Sequence, residues 1–242
     1  MKKKYALFLA VLITLIIWGN YLFFDINEKE GVVIKRAIDG DTIELEDGRI
    51  IRLENVNTPE RNERGYEEAK DFLAGFVNES VYIDIGGREK YGRILGKVYY
   101  DDNYLNLEII ERGLGHTILV NEEEIDKFKK AQEKAFKSEK GIWTRSKYYG
   151  CLSAEINKNK EFVIITRKCN ATAISWTIKD ESTHPYILQG ELSEETTLYS
   201  SSGTETEKER YWKRGKVWND DRDSIFIRDN EGFLVYYDSY GY

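Results

Sequence analysis

Acidic and amide side chains stand on both sides of one short stretch of the chain, at a spacing suited to a cation and a phosphate. Asp39 and Asp41 lie just before two apolar runs, and Asn57 and Glu60 lie just after them. Carboxylate and amide oxygens are the ligands that hard divalent cations such as Ca²⁺ prefer. Arg52, in the second run, offers paired and permanently charged donors that match phosphate geometry. These residue types together indicate chemistry on a phosphate ester.

A β-hairpin is the element that would bring these side chains together. Two alternating apolar runs, at residues 43–46 and 49–53, flank the dipeptide Asp47-Gly48. Asp-Gly is a strong hairpin signal because glycine adopts the positive φ that a tight turn needs. We therefore expect the hairpin to place the acids at its start beside the amide and the carboxylate just past its end.

The bulk composition limits the class of protein. The chain has 242 residues, of which 41% are hydrophobic and 33% charged, as is typical of a globular protein. This length leaves room for a membrane anchor and two small domains. The formal net charge of -7 argues against a protein that wraps duplex DNA electrostatically. Any contact with nucleic acid must therefore be local and metal-assisted.

The N-terminus carries an uncharged, mostly apolar run at residues 5–24, which follows three lysines at positions 2–4. As a helix this run is about 30 Å long, enough to cross a bilayer. The lysines place the N-terminus in the cytoplasm and the rest of the chain outside. Two outcomes stay open: an uncleaved signal anchor that holds the protein on the cell membrane, and a signal peptide whose removal yields a secreted protein.

The two cysteines fit an exported protein. Cys151 and Cys169 do not have the CxxC spacing of a metal-binding pair. In an oxidising compartment we expect a disulfide between them, and two buried free thiols are the alternative.

The residue pattern of the first half predicts a mixed domain with strands and short helices. Strands are predicted at residues 31–38, 43–46, 49–53, 80–85 and 94–100. Helices are predicted at residues 66–78, 105–112 and 122–140, the second ended by Gly113 and the third by Gly141. About five strands around small helices indicate a closed Greek-key barrel of the OB-fold type.

Several motifs of this half resemble the staphylococcal nuclease (thermonuclease) family. The motifs are, in chain order, Ala37-Ile-Asp-Gly-Asp-Thr42, Arg52-Leu-x-x-Val-Asn-Thr-Pro-Glu60, Lys90-Tyr-Gly-Arg93, the helix Asn106–Leu114, and Gly141-Ile-Trp143. The resemblance covers about residues 31–147. It implies an OB-fold, calcium-dependent phosphodiesterase that acts on DNA and RNA.

The resemblance implies a set of calcium ligands. Asp41 is expected to bind the ion through its carboxylate and Thr58 through its backbone carbonyl. Asn57 stands where the family usually has a second aspartate ligand, and Asp39 is expected just behind the direct ligands. Because an amide carries no charge, we expect the calcium affinity to be weaker by about tenfold or more.

The resemblance also assigns the chemical step and the substrate contacts. Glu60 is expected to activate or orient the attacking water, as a carboxylate beside a metal can accept a proton. Arg52 and Arg93 are expected to bind the scissile phosphate. Lys90 and Tyr91, in the same motif as Arg93, are expected to contact the substrate.

One part of the family pattern is missing further along the chain. Near Leu119 and Asn121 the family often has tyrosines against the nucleotide. Their absence leaves base stacking and any preference for strand ends open. The adjacent His116 is expected to be a surface or packed side chain.

The second half is predicted to contain short strands at residues 161–166, 173–180, 185–188, 195–199, 224–229 and 234–237. Turns that recur about every 8–12 residues predict a β-sandwich. The motifs between Trp176 and Gly232 resemble the lamin-tail domain, an immunoglobulin-like sandwich, over about residues 160–240. Trp176, Trp212 and Trp218 are expected to pack inside it. The resemblance implies that this domain binds a partner, either nucleic acid or an envelope component.

The sequence therefore predicts three parts: a signal anchor and linker at residues 1–30, a nuclease domain at 31–149 and a lamin-tail-like domain at 150–242. The predicted function is calcium-dependent hydrolysis of DNA, with RNA as a further substrate, outside the cytoplasmic membrane. The alternative is a non-catalytic binding module, for nucleic acid or the envelope, built on a degenerate nuclease barrel.

Overall fold

A computed structural model of the chain describes residues 14, 30–89, 92–170 and 172–242. The predicted membrane segment at residues 5–24 lies outside the described residues except for Thr14. Lys90 and Tyr91, the predicted substrate contacts, also lie outside them. Across the part of the chain that the structure describes, no helix has the length and apolar character needed to span a membrane.

The strands of the first half form a barrel and a separate short ribbon. They are β1 (Glu30–Ala37), β2 (Thr42–Leu45), β3 (Ile50–Leu53), β4 (Val56–Asn57), β5 (Ser80–Arg88), β6 (Ile94–Tyr100), β7 (Asn103–Tyr104) and β8 (His116–Thr117). The main sheet has the order β3-β2-β1-β5-β6-β7, and β3 also pairs with β6 in parallel. This last pairing closes five strands into a barrel, as expected for a nuclease-like OB fold. The ribbon consists of β4 and β8.

The core of this half lies inside the barrel, and β5 and β6 alternate between buried and more exposed residues. In β6, for example, Ile94, Gly96 and Val98 are buried while their neighbours are only partly buried. Ile43 and Ile51, which face each other across the predicted hairpin, are fully buried. Burial of each such aliphatic side chain contributes about 1.5–3 kcal/mol.

Three α-helices cover the barrel: α1 (Tyr66–Ala74), α2 (Leu105–Glu111) and α3 (Ile125–Lys137). All three were predicted, but each is shorter than the apolar periodicity suggested. The prediction that Gly141 ends the third helix is wrong, because α3 ends at Lys137 with Ser138 as its cap. Gly141 instead begins a 3-10 helix, Gly141–Trp143. A Cβ atom at this glycine would lie 2.2 Å from the carbonyl oxygen of Gly113, so close backbone approach explains the residue.

The second half is a β domain of two sheets that share one core. Its strands are β9 (Leu152–Asn157), β10 (Phe162–Arg167), β11 (Thr172–Lys179), β12 (Tyr186–Glu191), β13 (Glu195–Tyr199), β14 (Glu209–Tyr211), β15 (Asp223–Arg228) and β16 (Leu234–Tyr240). The sheet orders are β14-β13-β10-β9 and β12-β11-β15-β16. Trp176, Trp212 and Trp218 are buried within the shared core, in agreement with the expected packing role. A disulfide joins Cys151 to Cys169.

The two halves share a small apolar core of their own. Ile142 and Trp143 from the first half pack with Phe226 and Leu234 from the second. The backbone is also joined there, because Leu234 donates to the carbonyl of Thr144 at 3.0 Å. The second half therefore packs directly against the first, at the predicted motif Gly141-Ile-Trp143.

Candidate functional site

The turn between β1 and β2 positions the first two acidic residues. The backbone N–H of Asp41 donates to Oδ1 of Asp39 at 3.1 Å, which holds the turn closed. Gly40 lies between them, where a Cβ atom would be 2.7 Å from Oγ1 of Thr58 and 2.5 Å from Cβ of Ala69. Glycine is therefore needed so that the acidic turn can approach Thr58.

The Asp41 carboxylate is the centre of the site. Its Oδ2 atom accepts hydrogen bonds from the backbone N–H and the hydroxyl of Thr58, each at 2.8 Å. The same oxygen lies 3.1 Å from Nη2 of Arg52. The side chain is buried, and charge-assisted bonds of this kind hold a buried carboxylate in one orientation.

Arg52 is held by the backbone around it. It pairs with Thr42 in the hairpin register, and its Nη1 donates to the carbonyls of Val56 at 2.7 Å and Leu53 at 3.1 Å. Its Nη2 donates to Oδ1 of Asn57, also at 3.1 Å. The guanidinium group is therefore fixed in place before any ligand binds.

The orientation of the Asn57 amide follows from its two other contacts. Nδ2 of Asn57 lies 3.1 Å from Nε2 of His116 and 3.2 Å from the carbonyl oxygen of Glu181. His116 Nδ1 lies 3.1 Å from the carbonyl of Thr117, so Nδ1 carries the proton and Nε2 accepts. Burial lowers the pKa of His116 to about 3, which keeps the ring neutral. Since both amide hydrogens are used, the amide oxygen must face Arg52.

The structure brings four of the predicted site residues into direct contact: Asp41, Arg52, Asn57 and Thr58. Asp39 adjoins them through its bond to the Asp41 backbone. Burial and the neighbouring Asp41 carboxylate raise the pKa of Asp39 to about 6. The site thus holds two carboxylates close enough to repel each other.

Two predicted residues lie at the edge of this cluster. Glu60 is exposed, and its backbone N–H donates to Oε2 of Glu63 at 2.9 Å. Arg93 directly precedes β6, whose Leu95 pairs with Arg52 in the barrel closure. Its guanidinium forms an ion pair with Glu89 at 2.6 Å and is partly exposed. No hydrogen bond or ion pair joins either residue to Asp41 within the described part of the structure.

A cleft of about 470 Å³ opens beside Arg52. Its charged lining consists of Arg52, Glu54, Asp84, Glu89 and Lys97. Leu119 and Asn121, which stand where the family often has tyrosines, also line it.

Sequence reasoning missed two residues of the site, His116 and Glu181. His116 was expected to be a surface or packed side chain. It is packed, with its ring 4.7 Å from that of Phe226, but it also orients Asn57. Glu181 belongs to the second half and contacts Asn57 through its backbone, so no side-chain motif could have identified it.

Comparison with known proteins identifies the first half. Residues 50–145 match the sequence profile described as staphylococcal nuclease homologue. The chain is 31% identical over 130 residues to the thermonuclease of Staphylococcus intermedius, and the match covers 48% of this chain and 77% of that protein. The chain belongs to the staphylococcal nuclease family. Membership of the staphylococcal nuclease family supports a nuclease function, and it confirms the resemblance found in the motifs.

Two relatives from Bacillus subtilis (strain 168) are also similar. The chain is 28% identical over 215 residues to endonuclease YhcR, and the match covers 78% of this chain and 17% of that protein. It is 31% identical over 138 residues to the SPbeta prophage-derived endonuclease YokF, and the match covers 50% of this chain and 47% of that protein. The chain thus spans less than half the length of these two members of the staphylococcal nuclease family. The YhcR match is too long to be confined to residues 1–149, so it extends into the second half.

Proposed function

We propose that this protein is a calcium-dependent nuclease that hydrolyses phosphodiester bonds of DNA and RNA. One observation carries the proposal. The buried guanidinium of Arg52 contacts the Asp41 carboxylate and the Asn57 amide oxygen, each at 3.1 Å, at the edge of a cleft. A fixed cation beside oxygen ligands is what a phosphate and a metal ion need together. The relatives named endonuclease and thermonuclease support nuclease chemistry.

The residues around Asp41 fit calcium by the chemistry of their donor set. Asp39 and Asp41 supply two neighbouring carboxylates. Burial and the charge of Asp41 together raise the pKa of Asp39, and a divalent cation would offset the repulsion between the two groups. The described residues contain no group of three or more Asp, Glu, His or Cys side chains that could hold a metal. The amide oxygen of Asn57 and the carbonyl of Thr58 would therefore complete the set. All these donors are oxygens, as calcium prefers.

Arg52, Arg93 and Glu60 have separate roles in the proposed reaction. Calcium, when bound, would act as a Lewis acid on the phosphate. Arg52 would bind the phosphate in a fixed orientation, and Arg93 would join it by exchanging its exposed ion pair with Glu89. Glu60 is exposed, and no hydrogen bond or ion pair engages its carboxylate in the described structure, so it is free to accept a proton from water.

We place this activity outside the cytoplasmic membrane. The disulfide between Cys151 and Cys169 supports an oxidising compartment. The apolar run at residues 5–24 would serve as the anchor or the signal peptide. Residues 150–242 would form a lamin-tail-like domain that positions the substrate or an envelope component, beside a nuclease domain at 31–149.

The test is a cleavage assay with the full chain. Single-stranded DNA and RNA of one sequence are incubated with calcium or with chelator, and Glu60→Gln is compared with wild type. The matched control is Glu67→Gln, an exposed glutamate on α1. We expect calcium-dependent cleavage by wild type and control, and a loss of about a hundredfold or more in Glu60→Gln. Equal rates for all three, or rates insensitive to chelator, would remove the catalytic assignment.

A second candidate function is a binding module without catalysis. It is favoured by Asn57, which replaces an anionic ligand with a neutral amide whose hydrogens are both engaged. The same assay separates the two functions, because a binding module would leave the strand uncleaved at every calcium concentration.

A further inference from the structure

A second cleft adjoins the first and belongs mostly to the C-terminal half. It has a volume of about 370 Å³, and Ile118 and Leu119 line both clefts. Leu119 stands between them as an exposed apolar residue, with 72% of its surface accessible. Its backbone has φ 49°, an uncommon conformation for a side chain of this kind. The two clefts therefore form one continuous path that crosses Leu119.

Two cationic side chains, Arg214 and Lys216, stand at the rim of the second cleft. His184, Arg214 and Lys216 line it, and all three side chains are exposed. No hydrogen bond or ion pair engages the Arg214 guanidinium in the part of the chain that is described. Lys216 pairs with Asp220 at 2.9 Å, but exposed pairs of this kind are weak and exchange with solvent.

The acidic residues of the same cleft are turned inward. Oδ1 of Asp180 accepts from the backbone N–H and the hydroxyl of Ser182, at 3.0 and 2.6 Å. Oε1 of Glu181 accepts from the hydroxyls of Ser224 at 2.9 Å and Tyr242 at 2.7 Å. Of the charged residues that line the cleft, those exposed to solvent are thus positive, although the chain as a whole has a net charge of -7.

We propose that this second cleft binds the phosphodiester backbone of the substrate strand on one side of the scissile phosphate. The strand passes over Leu119 from the Arg52 cleft and reaches Arg214 and Lys216. The inference rests on the proposed nuclease function, and it assigns to the C-terminal half the binding of single-stranded nucleic acid. A local cationic rim is what a protein of negative net charge needs in order to hold a polyanion.

The same geometry predicts contact with the phosphates and not with the bases. Trp212, at the floor of the cleft, is only 8% exposed, and its indole N–H donates to the carbonyl of His184 at 3.1 Å. Aromatic residues usually bind single strands by stacking on the bases. The Trp212 ring is too buried for a base to stack on it. Binding in the cleft is then independent of base sequence and equal for DNA and RNA.

The experiment measures binding by the full chain in chelator, so that no strand is cleaved. The probes are oligothymidylates of three and fifteen nucleotides and an oligouridylate of fifteen. Arg214→Glu is compared with Lys208→Glu, an equal change of charge at an exposed lysine in a separate groove of the same half. Arg214→Lys tests whether charge alone suffices.

We expect Arg214→Glu to weaken both fifteen-nucleotide probes about three- to tenfold and to leave the three-nucleotide probe unchanged. The slope of log affinity against log salt should fall by about 0.7 for each phosphate contact that is lost. Lys208→Glu and Arg214→Lys should stay near wild type. Equal weakening of short and long probes, a loss confined to one sugar type, or the same loss in Lys208→Glu would overturn the proposal.

The two proposals fail in different ways. If the long strand binds through Arg214 but is not cleaved when calcium is added, the nuclease function is wrong and the strand-binding cleft stands. If the protein cleaves and Arg214→Glu binds long strands as wild type does, the nuclease function stands and the cleft assignment is wrong.

Discussion

Asn57 donates an amide hydrogen to Nε2 of His116, 3.1 Å away, across the pairing of β4 with β8. Its other amide hydrogen bonds to the carbonyl of Glu181 in the C-terminal half. Both acceptors require an N–H at this position. The amide that replaces the aspartate usual in the family is therefore explained by the packing of the second half against the first.

The substitution Asn57→Asp should lower the stability of the protein and strengthen its binding of calcium. A carboxylate oxygen would face the Nε2 lone pair of His116 and the Glu181 carbonyl, so the free energy of unfolding without metal should fall by about 1–3 kcal/mol. The added charge should tighten calcium binding by about tenfold. Denaturant unfolding in chelator and calorimetric calcium titration measure the two effects.

Asn230→Asp, at an exposed turn, serves as the control and should change neither quantity. If the stability of Asn57→Asp equals that of wild type, the contacts with His116 and Glu181 are not formed in solution. If its calcium affinity does not tighten, Asn57 does not contact the ion.

The two arginines should respond differently to replacement by lysine. Arg52 bonds three backbone carbonyls with one nitrogen and two side chains with the other, so Arg52→Lys should cost about 1–3 kcal/mol of stability and about a hundredfold in cleavage rate. Arg93 has a partly exposed ion pair with Glu89, so Arg93→Lys should slow cleavage but change stability by less than about 1 kcal/mol. Unfolding curves and cleavage rates for both variants test this contrast, and similar losses of stability would contradict it.

The stability of the protein should depend on pH through Glu181. Burial raises the pKa of this carboxyl to about 8, above its ordinary value of 4.5. The folded protein therefore holds a proton that the unfolded chain releases. This contribution is complete below pH 4.5 and is lost as the pH rises through about 8.

Glu181→Gln removes the titrating group and keeps an oxygen for the hydroxyls of Ser224 and Tyr242. The unfolding free energy of wild type should fall relative to this variant between pH 4.5 and 8, by at most about 1.4 kcal/mol per pH unit. Urea unfolding at several pH values measures the difference, and Glu155→Gln, an exposed residue of β9, is the control. Parallel curves for wild type and Glu181→Gln would show that this carboxyl does not titrate in that range.

The two halves should unfold together because they share a core. The Phe226 ring lies 5.9 Å from that of Trp143 and 4.7 Å from that of His116, both in the first half. Phe226→Ala should lower the free energy of unfolding by about 3–5 kcal/mol, whereas Ile187→Ala, at a half-exposed position, should cost less than about 1 kcal/mol. Tryptophan fluorescence and circular dichroism should report one coincident transition for wild type. Two separate transitions would show that the halves are energetically independent.

Much of the site could be predicted because several of its residues lie close together in the sequence, on one hairpin and the loop that follows it. The Asp47-Gly48 turn sets the register that pairs Thr42 with Arg52, and Leu53 then donates to the carbonyl of Asp41 at 2.8 Å. Hairpin register and alternation follow from short-range hydrogen bonds and from which face is buried. The convergence of Asp41, Arg52 and Asn57 was therefore present in the sequence pattern, whereas Thr58 was expected only from the resemblance to the family.

Other elements were missed or misplaced where the local signal is weak. β9 and β14 are short runs with polar residues, and their pairing with β10 and β13 is what makes them strands. Gly141 was interpreted as a helix end because glycine is common there. Its actual constraint is contact with the backbone of Gly113, which no local pattern reveals.

By itself, the sequence determined the barrel strands, the acidic turn and the arginine that faces it, since these depend on neighbours a few residues apart. Only the tertiary structure decided that His116 and Glu181 orient Asn57, at separations of 59 and 124 residues. It alone also placed the Arg214 rim beside Leu119. Contacts of this range form when two folded surfaces bury apolar area together, and the residues that meet depend on the shape of both surfaces and not on the sequence around either one.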